Sequence, residues 1–305
     1  MKQYRTDLAM ESTENNESLP GVKIAGWEES GVSVTEVIIE TEEASKKLGK
    51  SIGRYLTIES EGVRKRDPMA YEAVSALLGE EISRLLPPDE SNAPVMVVGL
   101  GNRMVTPDAL GPKTVDGVLV TRHLMREMPE SVDARLNPVC AVAPGVLGVT
   151  GIESMESVKA LSDTIKPRCL IVIDSLASRA TKRVGVSIQL SDTGICPGSG
   201  VGNHRSALTK ETIGVPVIAV GMPTVVYASS IARDALQFLC DGETNEEMLD
   251  SLTNRLFENE IGDMIVTPRE VDDMISDAAG IISSGINRAL HDGVSASEFT
   301  ALLKK

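Results

Sequence analysis

The chain has 305 residues, 42% hydrophobic and 24% charged, the balance of a folded globular protein rather than a disordered or fibrous one. Asp plus Glu number 44 against 30 Lys plus Arg, and the resulting net charge of −14 repels nucleic-acid phosphates and anionic membranes while suiting a basic partner. Cys140, Cys169, Cys196 and Cys240 lie singly, without metal-site spacing, and are expected as reduced thiols of a cytoplasmic protein.

The N-terminal residues lack the apolar stretch of a secretory signal, so no export is expected. Glu11 to Ser18 is polar and acidic, and the first twenty residues read as a loosely held arm. Regular structure is expected from near Val22, with a β-branched strand over Val32 to Ile39. Pro68 to Leu86 has helical spacing, a proline at its start and Pro87-Pro88 behind it. Val95 to Gly99, Cys169 to Ile173 and Val217 to Val220 are short continuous apolar runs of the kind that strands buried on both faces of a parallel sheet require. Helices are expected between them at Pro112 to Met128 and Gly151 to Ile165. Thr212 to Ala232 is uncharged and long enough to span a bilayer, but Gly214, Pro216, Gly221 and Pro223 divide it into strand, turn and helix start. From Thr224 onward the chain reads as mainly helical, with Pro268 opening a helix that Gly280 interrupts. Strand alternating with helix predicts an α/β fold: a mainly parallel twisted sheet, helices on both faces and a largely helical C-terminal third. No internal repeat or low-complexity linker divides it.

In such a sheet the functional crevice lies beyond the carboxyl ends of the strands. Asp108 leaves the first apolar strand in the loop from Gly99 to Pro112, and Asp174 follows the next, so both project from one sheet edge. Two neighbouring carboxyl groups do not both ionise easily; one keeps a proton while the other acts as a base, an arrangement that activates water against an amide. The plainer alternative makes Asp108 a helix cap and Asp174 a strand-end acceptor. Asp192-Thr193-Gly194 matches the tripeptide of pepsin-like proteases but stands in an α/β context, and reads as a site wall. Beyond it Gly198, Gly200, Gly202 and Asn203 form a glycine-rich loop beside His204 and Arg205. That loop lets a backbone approach closely or simply turns tightly. Neither a dinucleotide fingerprint nor a Walker motif is present, because Met104 stands where the third glycine would be. His123, His204 and His291 lack metal-ligand spacing; His204 is a candidate lining residue. No nucleophilic serine elbow is present.

Taken together, Arg5-Thr6-Asp7-Leu8-Ala9, Gly99 to Pro112, Ile173 to Arg179, Asp192 to Asn203, Gly221 to Val226 and Ile265 to Pro268 resemble the germination protease, or spore endopeptidase, family over nearly the full length. The resemblance implies an atypical aspartic endopeptidase that degrades small acid-soluble spore proteins during germination. It further implies a fold similar to hydrogenase maturation proteases, a homotetramer in the forespore and spore core, no cofactor or metal, and no direct contact with nucleic acid or membrane. The family's two catalytic aspartates fall on Asp108 and Asp174. The family is made as a zymogen and cuts after an acidic residue that precedes an apolar residue and alanine, which here are Asp7, Leu8 and Ala9. The implied organisation is a propeptide over residues 1–7 and a single peptidase domain with additions over 8–305, autoprocessed at Asp7-Leu8. Protonation of nearby acidic groups as pH falls is expected to let the arm enter the site. This propeptide is shorter than the family leads one to expect, and His204-Arg205-Ser206-Ala207 is less basic than the family's usual loop. A metal-dependent hydrolase using Asp108, Asp174 and His204, and a nonenzymatic binder of basic spore proteins, are the competing readings.

Overall fold

The computed structural model describes residues 6–14, 19–88, 92–197, 206–239, 264–291, 294 and 298. Among them the strands are β1 (Val22–Glu29), β2 (Val32–Ile39), β3 (Gly53–Glu59), β4 (Val95–Gly99), β5 (Val139–Val142), β6 (Cys169–Ser178), β7 (Ser187–Ser191), β8 (Val217–Tyr227) and β9 (Ile265–Val266). The helices are α1 (Ala9–Thr13), α2 (Glu42–Leu48), α3 (Glu61–Arg64), α4 (Pro68–Leu85), α5 (Leu110–Asp116), α6 (Arg122–Glu127), α7 (Leu147–Thr150), α8 (Ser154–Ile165), α9 (Lys210–Ile213), α10 (Ala228–Leu239) and α11 (Val271–Leu290).

The strands form one mixed sheet in the order β1-β2-β3-β7-β8-β6-β4-β5, with β9 added to β8. The three apolar runs and β5 are its parallel heart, since β4 pairs in parallel with both β5 and β6, and β6 with β8. Beyond β8 the pairing turns antiparallel through β7, β3, β2 and β1. Alternate side chains of the central strands enter opposite layers. Val95, Val97, Ile171 and Ile173 pack under α4, α5 and α11, while Met96, Val98, Leu170 and Val172 meet Val158 of α8 and Ile213 of α9. Within these runs the central strands are therefore apolar at every position, which is why the runs lack the alternation of half-exposed strands.

Four expectations need correction. Residues 6–14 of the arm are not loosely held: Leu8 and Ala9 are buried and α1 follows Leu8. The helix expected over Pro112 to Met128 is two, α5 and α6, because Asn287 of α11 takes over the backbone between them, accepting from Leu119 N at 2.9 Å and donating to Gly117 O at 2.9 Å. The last long helix begins at Val271 and runs unbroken through Gly280, which lies on its exposed side. Burying Ile275, Ile282 and Ile286 outweighs the roughly 1 kcal/mol helix penalty of one glycine. Finally, β6 and β8 continue past their apolar runs, so Asp174 and Gly221 sit inside strands rather than beyond them. Among the described residues no helix is long and apolar enough to cross a membrane.

Candidate functional site

Asp174 lies on the same face of β6 as Leu170 and Val172, 5% exposed, and its Oδ1 accepts from Ser175 N at 2.9 Å. Asp108 reaches the same place by a loop held at both ends. As β4 finishes, Leu100 N donates to Ile173 O at 2.8 Å, one residue before Asp174. Gly101 then turns with φ of +111°, and a Cβ there would lie 2.0 Å from Asp108 O, so no other residue fits without moving the aspartate. Asn102 N donates to Asp108 Oδ2 at 2.8 Å, and Thr224 of β8 donates through Oγ1 to Pro107 O at 2.8 Å. Thr267 in turn donates to Thr224 O at 2.8 Å.

Asp108 and Asp174 line one cavity of about 320 Å³, and the third carboxylate in its wall is Asp7 of the N-terminal arm. A neighbouring cavity of about 300 Å³ also includes Asp7 and Asp174, together with Lys50, Gln189, Thr193 and Gly194. The arm runs past both. Asp7 N donates to Ala177 O and Asp7 Oδ2 accepts from Ala177 N, each at 2.9 Å, so the residue is paired with β6 through main chain and side chain at once. Across from β6, Gln189 of β7 donates from Nε2 to Asp7 O at 3.1 Å and accepts at Oε1 from Ala9 N at 2.7 Å. Lys50 Nζ donates to Thr6 O at 2.9 Å. Burial holds the Lys50 ammonium below the ordinary lysine range, against the opposing pull of Asp7 and Glu11.

Downstream of the Asp7-Leu8 bond, Leu8 is fully buried and Ala9 packs with Val37, Ile39, Ala44 and Tyr55. Glu11, 3% exposed, accepts from Arg179 N at 2.7 Å, Ala180 N at 2.9 Å and Arg183 Nη1 at 2.9 Å. The arm expected to enter the site on acidification is thus already seated in this structure.

The structure places Asp7, Asp108 and Asp174 around one cavity, with Leu8 buried beside Asp7. Asp192 is exposed and its Oδ1 accepts from Arg54 N at 2.8 Å, while its neighbours Thr193 and Gly194 line the second cavity. Gly200, Gly202, Asn203, His204 and Arg205 lie outside the described residues. His123 is exposed on α6. His291 is buried at the end of α11, accepting at Nδ1 from Asn137 N at 3.3 Å with Nε2 facing Leu119 O at 3.2 Å. Among the described residues no three His, Cys, Asp or Glu side chains gather as a metal site. Lys50, Gln189, Glu11 and Arg183 escaped the sequence reading; for Gln189 a signal existed, since Ser187, Gln189 and Ser191 put a polar row on one face of β7.

Residues 2–258 and 242–302 match the family model described as germination protease. Among curated proteins, the germination protease of Clostridium tetani is 39% identical, covering 98% of this chain and 99% of its own length. That of Clostridium perfringens is 44% identical, covering 95% of this chain and 96% of the relative. Among solved structures, a [NiFe] hydrogenase maturation protease, HycI, from Thermococcus kodakarensis is similar at 15% identity and a TM-score of 0.35, covering 68% of this chain and 98% of the other.

Proposed function

Because the chain belongs to the germination protease family, we propose that it is an aspartic-type endopeptidase whose first substrate is its own Asp7-Leu8 bond. The observation that carries this reading is the cavity shared by Asp7, Asp108 and Asp174. Asp108 and Asp174 hold one proton between them. The ionised member takes a proton from water as the water oxygen attacks the Asp7 carbonyl carbon, and the protonated member supplies the proton that the Leu8 amine needs on leaving. The C–N bond breaks, Asp7 gains a carboxylate, and residues 1–7 depart.

The seated arm makes the precursor both substrate and plug. Residues 8–14 occupy the side of the site that a second polypeptide would need, so maturation requires them to move after the cut. The mature enzyme then takes small acid-soluble spore proteins, cutting after an acidic residue followed by an apolar residue and alanine. Three features support that preference: Ala177 N holds the Asp7 carboxylate, Leu8 is fully enclosed, and Ala9 faces a close apolar wall. The net charge of −14 favours a basic substrate. The working form is a homotetramer in the forespore and spore core.

The test is incubation of the mildly acidified protein with a small acid-soluble spore protein, with and without chelator, reading fragment masses for wild type and Asp174→Asn. Chelator-resistant cleavage after acidic residues, lowered at least about a thousandfold in the variant, is expected. Chelator-sensitive cleavage would assign the chemistry to a metal, and binding without cleavage would leave a carrier of basic proteins. Asp7→Ala is expected to abolish maturation at this bond; a variant maturing there at the wild-type rate would end the autoprocessing assignment.

A further inference from the structure

We propose that Gln189 is a further catalytic residue of this site: it grips the main chain on both sides of the cleaved bond and stabilises negative charge on the carbonyl oxygen during attack. The inference rests on the reading that Asp7-Leu8 is the bond cut.

An extended peptide directs the C=O of one residue and the N–H of the residue two along to the same side. Here those groups are Asp7 O and Ala9 N, and a single carboxamide serves both, Nε2–H donating to the first at 3.1 Å and Oε1 accepting from the second at 2.7 Å. Gln189 thus does what a neighbouring strand would do, reading main chain and not side chains. Its grip applies to any polypeptide with the same path.

Its backbone is fixed where this matters. Gln189 stands opposite Gly221 of β8, and Gly221 stands opposite Asp174 of β6, so the three form one row across the sheet. Residues in a row share a face, and neighbouring strands are ~4.8 Å apart, which sets Gln189 and Asp174 about 10 Å from each other. Between them Gly221 contributes no side chain, and both flanking residues line the same cavity of about 300 Å³. The cut peptide lies over this row, with a carboxylate at one end and an amide donor at the other.

As water adds to the Asp7 carbonyl, its oxygen gains negative charge, and the N–H already aimed at it strengthens without reorganising. Glutamate at position 189 reproduces the amide only when protonated: its C=O accepts from Ala9 N and its O–H donates to Asp7 O. Ionised, it turns a lone pair on that oxygen. The titratable groups that face this place are Asp7 on the arm, Asp174 on β6, Lys50 after α2, Tyr55 on β3 and Cys196 beyond β7. They are common to wild type and variant, so the ratio of the two rates at each pH isolates residue 189.

The experiment follows cleavage of the full-length chain by intact mass from pH 7 to pH 4 for wild type, Gln189→Ala and Gln189→Glu. Gln189→Ala is expected to slow loss of residues 1–7 about 100-fold, and the Gln189→Glu to wild-type ratio is expected to rise at least tenfold on acidification. Wild-type cleavage at Asp7-Leu8 with Gln189→Ala within threefold of it would overturn the role of Gln189 while leaving the cleaved bond assigned. A slow alanine variant with a flat glutamate ratio would reduce Gln189 to a spacer and equally overturn the proposal. Wild-type cleavage at another bond would instead remove the reading on which it stands.

Discussion

Glu11 is three residues beyond Leu8 and almost fully buried, yet its carboxylate is well supplied, with two backbone amides and the Arg183 guanidinium around it. Charge-assisted bonds of this kind contribute about 1.5–3 kcal/mol each. Replacing Glu11 by Ala is therefore expected to raise hydrogen exchange at the Arg179 and Ala180 amides at least about tenfold, measured by mass spectrometry; unchanged protection would mean that α1 does not depend on this anchor. His291 gives a pH dependence of known sign. Burial pushes its imidazole below the ordinary histidine range. The unfolded chain therefore takes up a proton that the folded chain refuses, and stability present above about pH 6.5 is lost as pH falls below it. Melting temperature is expected to drop less between pH 7.5 and 5.5 in His291→Gln than in wild type. Neither residue could be read from its neighbours in the chain: Glu11 sits in an acidic stretch that looks solvated, and apart from Thr6 its partners are more than 160 residues away.

At the scale of elements, the loop between β4 and α5 decides whether Asp108 meets Asp174. Gly101 needs positive φ, and at Gly111 a Cβ would fall 2.3 Å from Leu100 O and 2.7 Å from Ile173 O, so α5 begins hard against the ends of β4 and β6. Gly101→Ala is expected to cost about 1–3 kcal/mol of stability. It should also cost activity well beyond what that stability loss explains, because the displaced atom belongs to Asp108; chemical denaturation and a peptide cleavage rate together check this. A variant with wild-type activity would show that the loop tolerates the shift. The strands here were legible as uninterrupted apolar runs, and Pro68 and Pro87 framed α4. The gap between α5 and α6 was not, because the side chain that satisfies it, Asn287, arrives from α11 at the other end of the chain.

The whole molecule sets a parallel α/β heart beside an antiparallel wing of β7, β3, β2 and β1, and the arm crosses the seam where β6, β8 and β7 meet. The heart and its two aspartates were legible because buried parallel strands and strand-end carboxylates leave marks in one stretch of sequence. The wing's contribution was hidden. The polar row on β7 marks a face, but Gln189 and Lys50 acquire their place beside the arm only through the pairing of β7 with β8 and the turn after α2. The arm looked unstructured because the groups that hold it in place, the Ala177, Arg179 and Ala180 backbone and the Gln189 and Arg183 side chains, lie far along the chain. The most direct measurement of the central claim is a time course of intact mass and N-terminal sequence for the full-length chain under mild acid with chelator present, comparing wild type with Asp108→Asn. The account predicts that wild type sheds residues 1–7 to leave Leu8 at the N-terminus and that the variant does not; an Asp108→Asn chain that begins at Leu8 as quickly as wild type would contradict it.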